Sequence, residues 1–456
     1  MSKRYPGGLI TKTPVVPTTS AASGVWTLDQ AITYIRAGTW PVQLGPFWIG
    51  LLGGLANQQG FSVAVDSSGN VYVCGQSNTS GTNDFQIAKY NTSGAIQWQR
   101  RLGSSGDDYG FSVAVDSSGN VYVCGESDAS GNTDFQIAKY DTSGTIQWQR
   151  RLGTSGSDYG LSVAVDSSGN VYVCGYSTAS GNADFQIAKY NTSGTIQWQR
   201  SLGGASNDVG YSVAVDSSGN VYVCGESNAS GTNDFQIAKY NTSGTIQWQR
   251  RLGGASSDTG QSVAVDSSGN VYVCGYAFVS STNDFQIAKY DTSGTIQWQR
   301  RLGGASSDIG RSVAVDSSGN VYVCGRSDAS GTIDFQIAKY DTSGTIQWQR
   351  RLGSSGTDES RSVAVDSSGN VYVCGYSDAS GANDFLFAKL PSDGSLTGTY
   401  TVGGYSFTYA ASSLTDAATS LTDAATSLTS SVSTFTDAAT SLTDAATSLT
   451  SSVTTI

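Results

Sequence analysis

Residues 61–110 read FSVAVDSSGNVYVCGQSNTSGTNDFQIAKYNTSGAIQWQRRLGSSGDDYG, and this stretch decides the fold. Its core phrase SVAVDSSGNVYVCG begins at Ser62 and returns at Ser112, Ser162, Ser212, Ser262, Ser312 and Ser362, a strict 50-residue period. Such a period marks a repeat architecture, in which each unit buries its apolar surface against its neighbours. Four runs in each unit have β character: 62–66 (SVAVD), 71–75 (VYVCG), 84–90 (DFQIAKY) and 96–102 (IQWQRRL). Val, Ile, Tyr, Phe and Trp fill the runs, while Gly, Ser, Asn and Asp fill the gaps between them. Four antiparallel strands repeated seven times predict an all-β, seven-bladed propeller. A β-solenoid is the rival, but its rungs recur at shorter periods.

The sequence also indicates how the ring closes. Trp98 recurs at Trp148, Trp198, Trp248, Trp298 and Trp348, whereas the next position in phase is Gly398. One period before Trp98 stands Trp48, within 47–52 (FWIGLL). The expectation is that the Trp48 strand completes the last blade, whose own fourth strand, 396–402, has lost the Trp. Such pairing would remove an open edge.

Repeats reading VAVDSSGNVYVCG and DFQIAKYNTSGTIQW resemble the bacterial seven-bladed β-propeller repeats of the SBBP type over residues 61–390, and more distantly the NHL repeats. That resemblance implies a fold and no particular activity, because propellers host many unrelated functions.

Composition narrows the function classes. The net charge of −11 argues against nucleic acid as a main partner. No apolar run approaches the roughly 20 residues of a membrane span. The start, MSKRYPGGLITKTP, lacks the apolar core of a Sec-type signal. The seven cysteines, Cys74, Cys124, Cys174, Cys224, Cys274, Cys324 and Cys374, occupy one register and read as buried thiols too far apart for disulfides. With no His and no CxxC, the usual zinc constellations are missing. No metal or cofactor is expected.

Four regions follow: an N-terminal docking arm with a short helix (1–44), the propeller (45–404), a linker (405–412) and a heptad stalk (413–456). In the arm, Pro6, Pro14 and Pro17 preclude a helix, and Thr27 to Gln30 form a capping box opening a helix over Leu28–Arg36. The segment Tyr5–Pro41 resembles a leader of cyanophage and marine-phage virion proteins. That resemblance implies docking onto other virion proteins and localisation in the virion.

In the tail Leu414, Leu421, Leu428, Phe435, Leu442, Leu449 and Ile456 recur every seven residues, with Ala or Val four residues after each of the first six. This a/d pattern predicts an α-helical coiled coil that drives homo-oligomerisation, a trimer by analogy with phage fibres. Its Asp416, Asp423, Asp437 and Asp444 are expected on the outer face. Ser and Thr at the flanking positions are poor helix formers, so the helix would depend on association.

The turn at 66–70 (DSSGN) resembles a calcium loop but lacks the spaced acids and terminal Glu of one. A tight turn with Gly69 at positive φ explains it. No catalytic set emerges, and the chain is not expected to be an enzyme.

The informative signal is the difference between repeats. The hairpin turns barely change, whereas variation gathers before strand one, after strand two and in loops 78–83 and 104–109. The first place holds Phe61, Phe111, Leu161, Tyr211, Gln261, Arg311 and Arg361; the second holds Gln76, Glu126, Tyr176, Glu226, Tyr276, Arg326 and Tyr376. Strand alternation puts all four places on one face of the disc, and loops on a rigid scaffold are where binding is built. Tyr176, Tyr276, Tyr376, Arg311, Arg361, Glu126, Glu226 and Arg326 are therefore the candidate ligand-binding residues. The expected function is a phage virion fibre or spike protein whose propeller displays a receptor- or glycan-binding face for a host glycan or surface protein. The alternatives are a decoration protein without a receptor, or a bacterial propeller surface protein or enzyme.

Overall fold

The computed structural model describes residues 47–53, 57–79, 81–128, 131–279, 281–419, 421–426, 429–431, 436–439, 443–446 and 450–456. The chain divides into two units, 1–46 and 47–456, and the described residues all belong to the second. The docking arm and its helix at Leu28–Arg36 lie outside the described residues.

Seven sheets stand around a central channel. Blade one runs from the inside outward as Gln58–Val65, Val71–Ser77, Asp84–Tyr90 and Ile96–Gly103, all antiparallel. Blades two to six repeat this plan at each 50-residue step. The inner strands line the channel with Val63, Ala64, Val65 and their six sets of equivalents. The second and third strands are buried on both faces, which is why VYVCG and FQIA are continuous apolar runs rather than alternating ones.

The turn between strands one and two of each blade is held by its Asp. Asp66 Oδ1 accepts from the amides of Ser68 and Asn70, both at 2.9 Å, and Oδ2 accepts from Asn70 Nδ2 and the Tyr72 hydroxyl. Repeated contacts lock neighbouring blades to one another. Ser62 Oγ accepts from the amide of Val113 at 3.2 Å, and the Trp98 indole donates to Thr142 O at 3.2 Å. The Phe85 ring fills a slot that exists only because Gly110 and Gly125 lack a Cβ, which on Gly125 would stand 2.6 Å from the ring. All seven cysteines are free and buried in these interfaces. Burial pushes their thiols up, Cys324 to about 12, so they act as small apolar fillers.

Contacts at the outer strand, the channel and the variable face shut the ring. Trp48–Gly53 pairs antiparallel with Asp384–Leu390 as the fourth strand of blade seven, with Trp48 fully buried and its indole donating to Thr92 O at 3.3 Å. At the channel the amide of Val63 donates to Ser362 Oγ at 3.2 Å, and on the variable face Gln58 N donates to Asn383 O at 2.7 Å. The strand anticipated as blade seven's displaced fourth strand sits elsewhere. Gly398–Val402 pairs with Tyr405–Ala411, which in turn lies on the outer strand of blade six.

The tail is the principal correction. No helix occurs among the described residues, and the heptads form no coiled-coil stalk. Short strands instead add a further strand to every blade, in reverse order around the ring. Tyr405–Ala411 lies on blade six and Thr415–Ala418 on blade five. Thr422–Ala425 covers blade four, Thr429–Ser431 blade three, Thr436–Ala439 blade two and Thr443–Ala446 blade one. Thr450–Thr455 then closes on Trp48–Gly53. One heptad therefore advances the chain by one blade. Seven extended residues span at most about 25 Å, and successive strands turn by about 20–25°, so the outermost strand has swung toward the circumference.

The heptad Leu fits the clefts between blades rather than a helical seam. Leu414 is buried among Tyr272, Phe285, Leu302 and Tyr340, and Leu421 packs on the equivalent cluster one blade earlier. Gln349 and Gln299 donate to the carbonyls of Leu414 and Leu421 at 2.8 and 3.1 Å. Asp416, expected on an outer helical face, instead accepts from the Tyr340 hydroxyl at 3.1 Å. Side chains at Leu428, Phe435, Leu442 and Leu449 lie outside the described residues. The physical reason for the correction is that a propeller's outer strands expose rows of unpaired N–H and C=O groups. Thr-rich segments satisfy those rows better as strands than they would form helices.

Candidate functional site

A β-bulge repeated in every blade builds the mouth of the channel on the variable face. The pairing of strands one and two shifts between Gly60 and Ser62, and at the equivalent step in the other six blades. The bulged residues are Phe61, Phe111, Leu161, Tyr211, Gln261, Arg311 and Arg361, and a bulge re-aims the extra side chain. Several of these side chains meet around the opening. Phe61 and Phe111 have ring centroids 5.3 Å apart, Arg311 Nη1 lies 3.4 Å from Gln261 Oε1, and the Arg361 guanidinium lies 5.9 Å over the Phe61 ring.

Outside this ring Gln76 and its equivalents, which lie within the second strand, pair with a third position whose occupants are Gln59, Tyr109, Tyr159, Val209, Thr259, Ile309 and Glu359. The two tiers divide the mouth into chemically different sectors.

The sector of blades six and seven is a cationic cluster around one acid. Glu359 Oε1 accepts from Arg311 Nε at 3.1 Å and Nη2 at 2.8 Å, with Arg361 Nε at 3.3 Å. Its Oε2 accepts from Arg326 Nη1 at 3.2 Å and the Tyr376 hydroxyl at 2.9 Å. The Glu359 side chain is only 2% exposed, whereas those of Arg311, Arg326 and Arg361 are 19%, 31% and 28% exposed. Burial alone would raise the Glu359 pKa, but the charges of Arg361, Arg311 and Arg326 and the Tyr376 hydrogen bond outweigh it and hold it below the usual range. Arg311 is pushed down by burial and by the charge of Arg361. Three guanidiniums against one carboxylate leave two positive charges in excess. The Tyr376 ring stacks under Arg361, 5.7 Å from ring centroid to guanidinium.

Blades two to five carry the other two glutamates, Glu126 and Glu226, and most of the tyrosines. Glu226 accepts from Thr259 Oγ1 at 2.8 Å and from the Tyr211 hydroxyl at 3.3 Å. Tyr159 and Tyr176 stack with centroids 4.5 Å apart, and burial pushes the Tyr176 phenol up to about 12. Glu126 is raised to about 7, mainly by burial and then by the charge of Asp128. Tyr276 stands between these acids and the cationic sector, half-buried.

The Glu126 shift has a consequence for pH. A carboxylic acid with a folded pKa near 7 against an unfolded value of about 4.3 keeps its proton longer in the folded state. Its contribution to stability is therefore fully present below pH ~4 and is lost as pH rises through 7. Thermal melts at pH 5 and pH 8 should show a smaller loss on raising the pH for Glu126→Gln than for the unaltered protein. Equal losses would mean that Glu126 is not the titrating group.

The candidate residues thus fall into two groups. Arg311, Arg326, Arg361 and Tyr376 converge on a single atom pair. Glu126, Glu226, Tyr176 and Tyr276 belong to a different arc of the same mouth. Glu359, which organises the first group, is absent from the residues that the sequence singles out. A signal for it exists, because it is the one acid in a series whose other six members are Gln, Tyr, Tyr, Val, Thr and Ile. Asp108, which opens the inner strand of blade two and recurs every 50 residues up to Asp358, is structural, since its Oδ2 accepts from the amide and hydroxyl of Ser104 at 2.6 and 2.8 Å. No cluster of three or more metal-ligating side chains occurs among the described residues.

Comparison with protein families agrees with this architecture. The SBBP beta-propeller repeat matches residues 40–81, 97–132, 147–182, 197–231, 247–277, 297–331 and 347–381, together more than half of the chain. A beta-propeller domain of unknown function, DUF5122, matches 217–246. No curated protein matches the chain. Among solved structures, Sqt1 from Chaetomium thermophilum is 12% identical with a TM-score of 0.44, covering 70% of this chain and 80% of that one. Drosophila Plexin A, solved in complex with Semaphorin 1b, is 10% identical with a TM-score of 0.39, covering 75% of this chain and 86% of that one. With seven matched repeats falling on seven blades, the chain belongs to the SBBP beta-propeller repeat family.

Proposed function

We propose that this chain is a virion fibre or spike component whose propeller binds an acidic glycan on a host surface through the channel mouth of its variable face. The observation that carries the binding reading is the blade six–seven sector, where Arg311, Arg326 and Arg361 surround the single buried acid Glu359. Partly exposed guanidiniums in excess of their counter-charge present planar donor forks to a carboxylate or sulfate. The neighbouring Tyr376 offers a stacking face and a hydroxyl with little rotamer freedom to lose. The virion setting rests on the likeness of Tyr5–Pro41 to phage leaders.

The test uses Arg326→Ala with Arg361→Ala, which leaves the Arg311–Glu359 pair intact and so keeps the buried acid compensated. The probe is an array of sialylated, uronate-bearing, sulfated and neutral glycans. The intact protein should bind acidic members, and the double variant should lose at least tenfold in affinity while its circular dichroism spectrum stays that of the folded protein. Ser67→Ala with Ser117→Ala, on the constant face, should bind as before. Binding to neutral glycans alone, or equal binding by the double variant, would overturn the reading.

A further inference from the structure

The tail strands that cover the outer edges of the blades form a belt, whose heptads are not all alike, and their differences follow the blades. Four contain Thr-Asp-Ala-Ala, at 415–418, 422–425, 436–439 and 443–446, and two contain Thr-Ser-Ser-Val, at 429–432 and 450–453. The four Asp-bearing units lie on blades five, four, two and one, each of whose outer strands ends Arg-Arg-Leu-Gly. The two Ser-Ser units lie on the two outer strands that depart from that sequence. On blade three the pair is Arg200 and Ser201; on blade seven it is Gly50 and Leu51. Blade six keeps Arg350 and Arg351 and takes the first belt strand, with Tyr409 in the Asp position.

We infer that each blade's outer edge is a sequence-addressed binding site for a strand of this chain's own tail, and that the pair of residues before Leu-Gly is the address. Charge explains the matching. On blade five Arg301 bridges Asp284 at 3.0 Å, and Asp416 joins the same edge beside Arg300. Burial pushes the Asp416 carboxyl up, while the Tyr340 hydrogen bond and the charge of Arg300 oppose that shift. Two arginines thus stand against two acids, and blades one, two and four repeat the count by register. Blade three has one arginine at these two positions, Arg200, and already carries Asp184, so a second acid would be surplus. Blade seven has no arginine there at all. At both, the belt supplies Ser where the other heptads supply Asp.

This matching also solves a register problem. Strands with identical repeats slide, because every shift by one unit restores the same pairing. A belt of six equal heptads would have only its attachment through Tyr405–Ala411 on blade six to choose its blades. The two Ser-Ser units break the degeneracy at blades three and seven.

The test exchanges 422–425 with 429–432 in the full chain, so that length and composition are unchanged. The Ser-Ser unit then faces Arg250 and Arg251, and the Asp unit faces Arg200 and Ser201. The melting temperature should fall below that of the unaltered protein. Thermolysin should cleave the tail of the folded protein several-fold faster. Adding Arg251→Ser and Ser201→Arg moves the addresses with the units and should restore both readings. A belt exchange without effect would overturn the inference, and so would an edge exchange that fails to restore what the belt exchange lost.

Discussion

A chain lacking 47–53 is expected to lose the closed ring and to aggregate. The segment is held on both sides, by Asp384–Leu390 and by Thr450–Thr455, and Trp48 is the largest side chain in its interface with blade one. Its removal would bare the third strand of blade seven, fully buried in the ring, and leave the last belt strand without a partner. Trp48→Ala alone should destabilise by about 3–5 kcal/mol, the range for removing a buried aromatic side chain. Light scattering and thermal melts of the deletion and of Trp48→Ala would measure both effects. A monodisperse deletion protein with an unchanged melting temperature would show that the ring does not depend on this strand.

Truncation after Gly404 is the second change with a large expected effect. It removes a strand from all seven blades at once and exposes seven edges as templates for other chains. It also uncovers the clefts filled by Leu414 and Leu421. Concentration-dependent association is expected, together with a lower melting temperature. A truncated protein that stays monomeric at high concentration would mean that the belt is dispensable to the edges. The opposite outcome is expected from a coiled-coil stalk, whose loss would shrink the particle rather than enlarge it.

The propeller is legible in the sequence because its signals agree at every level. Period, β-branched runs and Gly-bearing turns all point to four strands per unit. The belt is not, because a seven-residue apolar period is ambiguous by itself. It fits an a/d seam, and it equally fits one step between neighbouring blades. Two features favour the second reading. Seven apolar positions, Leu414 to Ile456, match seven repeats, and Ser and Thr dominate where a helix needs Ala, Glu or Lys. The face of the candidate site follows from strand alternation. Its internal division does not, since no local pattern shows that Arg311, Arg326 and Arg361 from two blades converge on Glu359. That convergence depends on bulge geometry and on which blades are neighbours.

The first and last described segments meet on one blade, and the described strands of the tail reach all seven blades. Leu51 and Ser452 are directly opposed across that junction. In Leu51→Cys with Ser452→Cys, mild oxidation should form a disulfide within a single chain. Non-reducing electrophoresis should then show a faster-migrating monomer that reverts with reductant. A pair that stays unlinked under oxidation, or that links only between two chains, would contradict the account.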